Sequence, residues 1–202
     1  MKKLFLVTLI IAATALAGMA QKTVNEYFLA IPEEYFKADV RDRAFWIDNT
    51  DEKDGFLEFT IPAAKFLDEY VEGANVFGNA QLFRHDNGGV IIGISINLCI
   101  EKSCQGQVIF LKNKNKQWED VTEKLSPSID NNEIYRILKD SPAMEKRVKK
   151  GEEIPLAIEF NGEEKSIRYI AQCKKNCDGG VVAKMFKWNG ISFEEFEYDV
   201  SP

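Results

Sequence analysis

The residues with the most reactive side chains in this chain are four cysteines, which occur as two pairs. Cys99 and Cys104 lie within CIEKSCQGQV, and Cys173 and Cys177 lie within CKKNCDGGVV. Cysteines placed in this way could bind zinc, form a redox pair or form disulfides. Four residues separate the first pair and three the second, whereas zinc knuckles and thioredoxin-like redox motifs use a two-residue spacing. The spacing therefore disfavours both a metal site and a redox centre.

The first twenty residues, MKKLFLVTLIIAATALAGMA, have the pattern of a secretory signal peptide. Lys2 and Lys3 precede an apolar run at 4–16, and small residues follow, so cleavage is expected after Ala20. The run is shorter than the roughly 20 apolar residues that a membrane-spanning helix needs. We expect residues 21–202 to be exported, to the periplasm or the cell exterior, with no membrane span after cleavage.

Disulfides are the interpretation of the cysteines that export favours, because they form and persist outside the cytosol. Four cysteines allow three pairings. We predict the local one, in which Cys99 pairs with Cys104 and Cys173 pairs with Cys177. Each bond would link two adjacent strands where the chain turns, and closing so short a loop would contribute about 2 kcal/mol. A zinc site formed by all four cysteines is the alternative.

The single histidine, His85, limits the other catalytic chemistries. Zinc enzymes with three histidine ligands or a His-Glu-x-x-His motif need more than one. A Ser-His-Asp triad would need His85 as its base, and the chain lacks a G-x-S-x-G motif. No glycine-rich phosphate loop precedes a predicted helix. We therefore predict no metal, no cofactor and no catalytic residue, although 32 acidic residues leave open a hydrolase with paired carboxylates.

The charge of the chain argues against nucleic acid as a partner. The chain has 26 basic and 32 acidic residues, which gives a net charge of −6. Two of the basic residues lie in the predicted leader, so cleavage would leave a charge of about −8. A protein of this sign is repelled by nucleic acids and by anionic membranes.

Residues 21–125 are predicted to form short helices followed by a first antiparallel meander. Thr23 and Glu26 fit a capping box at the start of the first helix. Phe45 and Trp46, in a later helical turn, are both expected to point inward. A strand begins near Phe56, ahead of the meander.

The strands of the first meander are predicted at 79–84, 90–98, 108–111 and 118–121. Residues 90–98 give the clearest strand, because large aliphatic side chains occupy every second position. The residues between them in VIIGISINLC include a glycine, a serine and an asparagine.

Residues 126–202 repeat this plan, with short helices followed by strands at 154–160, 165–172, 181–188 and 192–198. Asn189-Gly190 favours a two-residue type I′ hairpin, and the phase of Phe193 and Phe196 indicates a bulge in the last strand. We predict an α+β fold with two antiparallel four-stranded meanders, each preceded by short helices. Matching features lie 73 to 75 residues apart, which indicates an internal duplication. The two units, 21–125 and 126–202, would pack either separately or as one domain.

The order of these motifs resembles a domain-of-unknown-function family of exported bacterial proteins. The resemblance rests on YFLAIPEEYF, RDRAFWIDN, the cysteine loop between two strands and the WEDV of 118–121. It implies export and a mixed fold of helices and antiparallel strands, and nothing about activity. In architecture alone, two tandem units with local disulfides also resemble the secreted β-lactamase inhibitor proteins, with which the chain shares no motif.

The predicted contact for a partner is the hairpin tip formed by Trp188, Asn189 and Gly190. Tryptophan at an exposed tip can anchor a protein or a glycan. With few catalytic residues and many hairpin tips, the sequence favours a noncatalytic binding or envelope-interaction protein, whose partner would be a protein or glycan of the envelope. An exported carboxylate-dependent hydrolase acting on glycan or peptide is the alternative, so an enzyme is disfavoured but not excluded.

Overall fold

The computed structural model of the chain describes residues 22–48, 50–67, 71–86, 88–101, 103–141, 144, 148–171 and 180–196. The predicted leader lies outside these ranges. The described helices are α1 (Val24–Ala30), α2 (Val40–Ile47), α3 (Ala63–Phe66), α4 (Thr122–Leu125) and α5 (Asn131–Asp140). The described strands are β1 (Phe56–Ile61), β2 (Ala74–Arg84), β3 (Val90–Ile100), β4 (Ser103–Lys114), β5 (Gln117–Asp120), β6 (Ala157–Asn161), β7 (Ser166–Ala171), β8 (Val181–Trp188) and β9 (Phe193–Glu195).

The strands form two antiparallel sheets in simple sequence order, β1 to β5 and β6 to β9. The predicted α+β fold with two antiparallel meanders is confirmed in this coarse form. The first sheet has five strands, so the prediction of four was wrong there. The additional strand is β1, which pairs with β2 from Phe56 opposite Gln81 to Ile61 opposite Val76. β2 is long enough for this pairing because it begins at Ala74, ahead of the predicted start. The internal duplication stays a prediction.

The N-terminal helices begin where side chains satisfy free backbone N–H groups. The capping box of α1 is confirmed, since Thr23 and Glu26 each accept a hydrogen bond from the other's backbone. The prediction that Phe45 points inward was wrong. Phe45 is 72% exposed whereas Trp46 is 8% exposed, because neighbouring residues on a helix point about 100° apart and α2 buries the side of Trp46.

One face of the first sheet is covered by the N-terminal helices. The aliphatic side chains of β3 at 92, 94 and 96 lie in this core with Phe28, Trp46 and Phe59. The rings of Phe28 and Phe59 lie 4.9 Å apart. This face therefore accounts for the strong alternation in the sequence of β3.

On the other face of the first sheet β3 carries small and polar residues, and the second sheet covers this face. Ser95 and Asn97 are completely buried there. Asn97 donates from Nδ2 to the carbonyl of Ile158 at 2.8 Å and accepts from its N–H at 2.7 Å. Asn79 Oδ1 accepts from the N–H of Phe160 at 3.0 Å. These side chains bond backbone groups of β6, the edge strand of the second sheet, so that edge is closed to further strands.

Aromatic rings fill the core between the two sheets. Phe83 and Phe110, from the first sheet, lie 5.5 Å and 5.8 Å from the ring of Phe160 on β6. Gly93 lies beneath these rings without a side chain of its own. The glycine and the small neighbouring residues therefore let β6 approach the first sheet closely.

The prediction that Cys99 pairs with Cys104 is confirmed. The two residues are directly opposite in the register of β3 and β4 and form a disulfide. They are buried together with Ala157 and Ile170, so the disulfide lies against the second sheet. Cys173 and Cys177 lie outside the described residues.

The helix α5 is attached to the second sheet by one buried cation. Lys184 of β8 is 7% exposed, and its Nζ pairs with Glu133 of α5 at 2.5 Å and with Glu195 of β9. Ile134 and Leu138, on the same helix, are fully buried. We interpret this lysine as a structural link, because it pairs with one glutamate on α5 and another on β9.

Candidate functional site

The predicted contact residues lie at the end of β8, in a loop longer than expected. Trp188 pairs with Phe193, which leaves four residues in the loop, so the two-residue type I′ turn was wrong. Asn189 has no positive φ, whereas Gly190 has φ +101°. The side-chain oxygen of Asn189 accepts hydrogen bonds from the N–H groups of Ile191 and Ser192, both at 2.9 Å. This Asx-type bonding holds the wider loop.

The predicted bulge is not found in the described part of the last strand, where β9 pairs with β8 without a register shift; residues 197–198 lie outside the described ranges. A register shift occurs instead between Tyr169 and Ile170 of β7, opposite β8. The two-residue turn with positive φ at both positions is found instead at Asn115 and Lys116, between β4 and β5.

The tip of this hairpin docks onto the first sheet instead of projecting from the protein. The carbonyl of Gly190 accepts a hydrogen bond from the N–H of Asp86 at 3.1 Å. The indole Nε1 of Trp188 donates to the carbonyl of Arg84 at 3.0 Å. The ring of Trp188 lies 5.5 Å from that of Phe83 and 5.2 Å from that of Phe193. Trp188 is therefore half-buried, with its N–H satisfied and part of its ring open to solvent.

A cleft of about 500 Å³ opens beside Trp188, where the two sheets meet. We call it the Trp188 cleft. Its lining comes from the residues just before α1, the turn before β1, the end of β2 and two hairpins of the second sheet. The lining residues are Lys22, Thr23, Glu52, Asp54, Gly55, Leu82, Phe83, Arg84, Lys165, Trp188 and Gly190. The volume is within the range of about 300–1,000 Å³ that is usual for small-molecule sites.

Three of the side chains lining the Trp188 cleft are cations without a carboxylate partner. Lys22, Arg84 and Lys165 form no ion pair with any residue in the described part of the chain. Lys165 donates a hydrogen bond to the backbone carbonyl of Asp54. Burial lowers the pKa of Lys165 and the positive charge of Arg84 lowers it further, while the charge of Asp54 opposes both. The cleft therefore has positive charge available to a ligand.

The Trp188 cleft has two acidic residues, Glu52 and Asp54, and within the described part of the chain only Glu52 has its carboxylate bonded to the backbone. Both carboxylate oxygens of Glu52 accept backbone N–H groups, from Val24 at 3.0 Å and Asn25 at 3.3 Å. This side chain serves to hold the start of α1. The carboxylate of Asp54 is exposed at the turn before β1 and is free of ion pairs with the described residues. Asp54 is therefore the acceptor in the cleft best placed to meet a ligand hydroxyl.

A second concave region carries a pair of carboxylates. Glu58 of β1 and Glu159 of β6 both line two adjoining grooves, of about 370 and 330 Å³. We call this region the Glu58–Glu159 groove. Burial raises the pKa of Glu159, the charge of Arg168 lowers it, and the charge of Glu58 raises it again. The guanidinium of Arg168, which could neutralise Glu159 across the β6–β7 pair, instead donates to Glu164 at 3.2 Å.

Replacing Glu159 by glutamine is expected to stabilise the protein at neutral pH. Because the pKa of Glu159 is raised above 4.5 on folding, the folded state holds this proton more tightly, and stability falls as the pH rises from 4.5 through the folded value. Glu159→Gln removes that loss, so its advantage should be present at pH 7 and shrink towards pH 4. Urea unfolding at both values measures this. Glu153→Gln, at an exposed position, is the control, and an equal effect of both variants would contradict the explanation.

Of the predicted contact residues, Trp188 and Gly190 line the cleft and Asn189 does not, and the other lining residues were not predicted. Lys165 and Arg84 are 81 residues apart in the sequence and meet only because one sheet docks on the other. His85, the sole histidine, lies next to the cleft, with its ring 6.4 Å from that of Trp188. Among the described residues there is no group of three or more potential His, Cys, Asp or Glu metal ligands. None of the described helices has the length and apolar character needed to cross a membrane.

The fold defines a class, an α+β protein with two antiparallel sheets that pack on each other through aromatic rings and buried polar side chains. A domain of an uncharacterized protein from Porphyromonas gingivalis W83 is similar in structure, with a TM-score of 0.54 and 9% sequence identity. The match covers 86% of this chain and 97% of that one, and at this identity it shows the fold alone. No protein-family model matches the chain, and the search of curated proteins found no match.

Proposed function

We propose that this chain is an exported, noncatalytic binding protein that takes its ligand in the Trp188 cleft. The observation that carries the proposal is that one cleft holds a half-buried tryptophan and three cations that form no ion pair with the described residues. Binding sites commonly combine an apolar wall with a few placed polar groups, and tryptophan is enriched among the residues that dominate binding energy.

The proposed location outside the cytosol is supported by the leader pattern and by the buried Cys99–Cys104 disulfide, since disulfides persist in exported proteins. The resemblance to a family of exported bacterial proteins belongs to the same proposal. The partner would be a protein or a glycan of the envelope or the surroundings of the cell.

The test is a ligand screen read out at Trp188. An array of glycans and peptides is probed with the wild-type protein, and each hit is titrated while the indole N–H signals are followed by NMR. A ligand of the cleft should shift the signal of Trp188 and leave that of Trp46, which is 8% exposed, unchanged.

Two variants complete the screen. Trp188→Ala should weaken binding about tenfold or more, whereas Phe45→Ala, which removes an exposed ring outside the cleft, should not. Both variants are checked by thermal unfolding first. Hits that bind Trp188→Ala as tightly as the wild type would overturn the proposal.

The second candidate is an exported hydrolase that uses the Glu58–Glu159 groove. The observation favouring it is that two carboxylates share one groove and burial raises the pKa of one of them. Such a pair can supply a general acid and a base or nucleophile. In this mechanism Glu159 is the general acid and Glu58 is the base or nucleophile.

The hydrolase candidate is tested by incubating the protein with labelled oligosaccharides and peptides. Cleavage should decline as the pH rises through the raised pKa of Glu159, because the acid must be protonated. It should fall by about 100-fold or more in Glu159→Gln and be unchanged in Glu153→Gln. Cleavage that survives Glu159→Gln and Glu58→Gln would exclude this groove as its source.

A further inference from the structure

The charges of the Trp188 cleft select for a ligand with a negative group. Lys165 is half-buried and lines the cleft together with Arg84. The pKa of Lys165 is lowered by burial, and the charge of Arg84 lowers it against the larger opposite effect of the Asp54 charge. Neither side chain is neutralised by a described carboxylate within ion-pair distance. Two adjacent cations at a partly desolvated site repel each other, and an anion placed between them removes that repulsion.

The rest of the cleft limits how many negative charges the ligand can carry. Asp54 and Glu52 line the same space, so a phosphate-rich or polyacidic ligand would meet repulsion as well as attraction. Carboxylate oxygens are good acceptors for hydroxyl groups. The lining therefore suits a ligand with one negative group and several hydroxyls.

The wall of the cleft favours a ligand that stacks. The indole N–H of Trp188 is occupied by the carbonyl of Arg84 at 3.0 Å, so the side chain offers ring surface and no donor. Phe83 and Phe193 pack against the ring and hold it in place. A fixed aromatic face of this kind suits the C–H face of a sugar ring.

We propose that the Trp188 cleft binds a carboxylated saccharide, with a sugar ring on Trp188, its carboxylate against Lys165 and Arg84, and a hydroxyl donating to Asp54. This inference rests on the proposed binding function and names its ligand class. An acidic peptide is the less favoured ligand, because consecutive carboxylates would approach Asp54 and Glu52.

The test compares matched ligands by titration calorimetry. The probes are methyl galacturonoside and its neutral counterpart methyl galactoside, sialyllactose and lactose, and a hexaglutamate peptide. Comparing the two acidic sugars shows whether the cleft prefers the carboxylate of a uronic acid or that of a sialic acid. We expect at least one acidic sugar to bind about tenfold or more tightly than its neutral counterpart, with an affinity that falls as salt is raised.

Variants of the cations tie the binding to the cleft. Lys165→Gln and Arg84→Gln should each reduce the affinity for the acidic sugar about tenfold and bring it towards that of the neutral one. Lys114→Gln, at an exposed position outside the cleft, is the matched control. If one of these two variants lowers the thermal stability, the other still tests whether the cations bind the acidic sugar.

The outcomes separate this inference from the function on which it rests. Equal binding of acidic and neutral sugars that is lost in Trp188→Ala overturns the charge selection and leaves the binding function standing. Tighter binding of hexaglutamate than of either acidic sugar overturns the saccharide. No binding of any probe at millimolar concentration overturns the inference, while the array screen decides the function independently.

Discussion

Replacing Asn97 by alanine is expected to lower the free energy of unfolding by about 2–5 kcal/mol. Asn97 is completely buried, and its amide bonds both the N–H and the carbonyl of Ile158, at 2.7 and 2.8 Å. Alanine leaves both backbone groups of β6 without a partner in a site closed to water. Each such buried group costs about 1–3 kcal/mol, and the lost volume adds a small cavity.

Asn97→Ala should loosen β6 around Ile158 more than it loosens the first sheet. The amide of Ile158 should exchange with solvent much faster than the amides of β3, as followed by hydrogen exchange. Asn97→Asp should be at least as destabilising, because a carboxylate would face the carbonyl of Ile158. Asn75→Ala, at an exposed position on β2, is the control. A loss below about 1 kcal/mol for Asn97→Ala would show that β6 does not depend on this contact.

Asn97 also shows where the sequence predicts this fold and where it misleads. The alternation in β3 correctly predicts the strand and its apolar face. By the same alternation, Ser95 and Asn97 belong to the face that is usually solvated in an antiparallel sheet, yet both are completely buried. Nothing near them in the sequence indicates burial, because the covering strand begins at Ala157, 60 residues later.

The sequence predicted only the part of the candidate site that is set by residues adjacent along the chain. An Asn-Gly pair after Trp188 indicates a hairpin tip, and the hairpin is present. The longer loop depends on the side chain of Asn189 bonding two N–H groups, which competes with the tighter turn. The cleft itself needs the docking of that tip on the first sheet, through Asp86 and Arg84. Contacts between distant segments of this kind carry no periodic pattern.

Gly93→Ala is expected to destabilise the protein by about 2–3 kcal/mol, because β6 packs closely on the first sheet at this position. A Cβ atom at Gly93 would lie 2.6 Å from Phe160, 2.9 Å from Phe110 and 3.0 Å from Phe83. All three rings are almost fully buried, so none can move aside without disturbing the core between the sheets. In a strand alanine is intrinsically favoured over glycine by roughly 0.5–1 kcal/mol, so a net loss can only come from the crowding.

A double-mutant cycle isolates that crowding. Phe160→Leu removes the ring atoms nearest to the new methyl group, so Gly93→Ala should cost less in the Phe160→Leu background than in the wild type, by about 1 kcal/mol or more. Chemical unfolding of the four proteins gives the coupling energy. Equal costs in both backgrounds would show that Phe160 is not the source of the crowding, whereas a smaller cost in the Phe160→Leu background identifies Gly93 as the space that lets β6 lie on the first sheet.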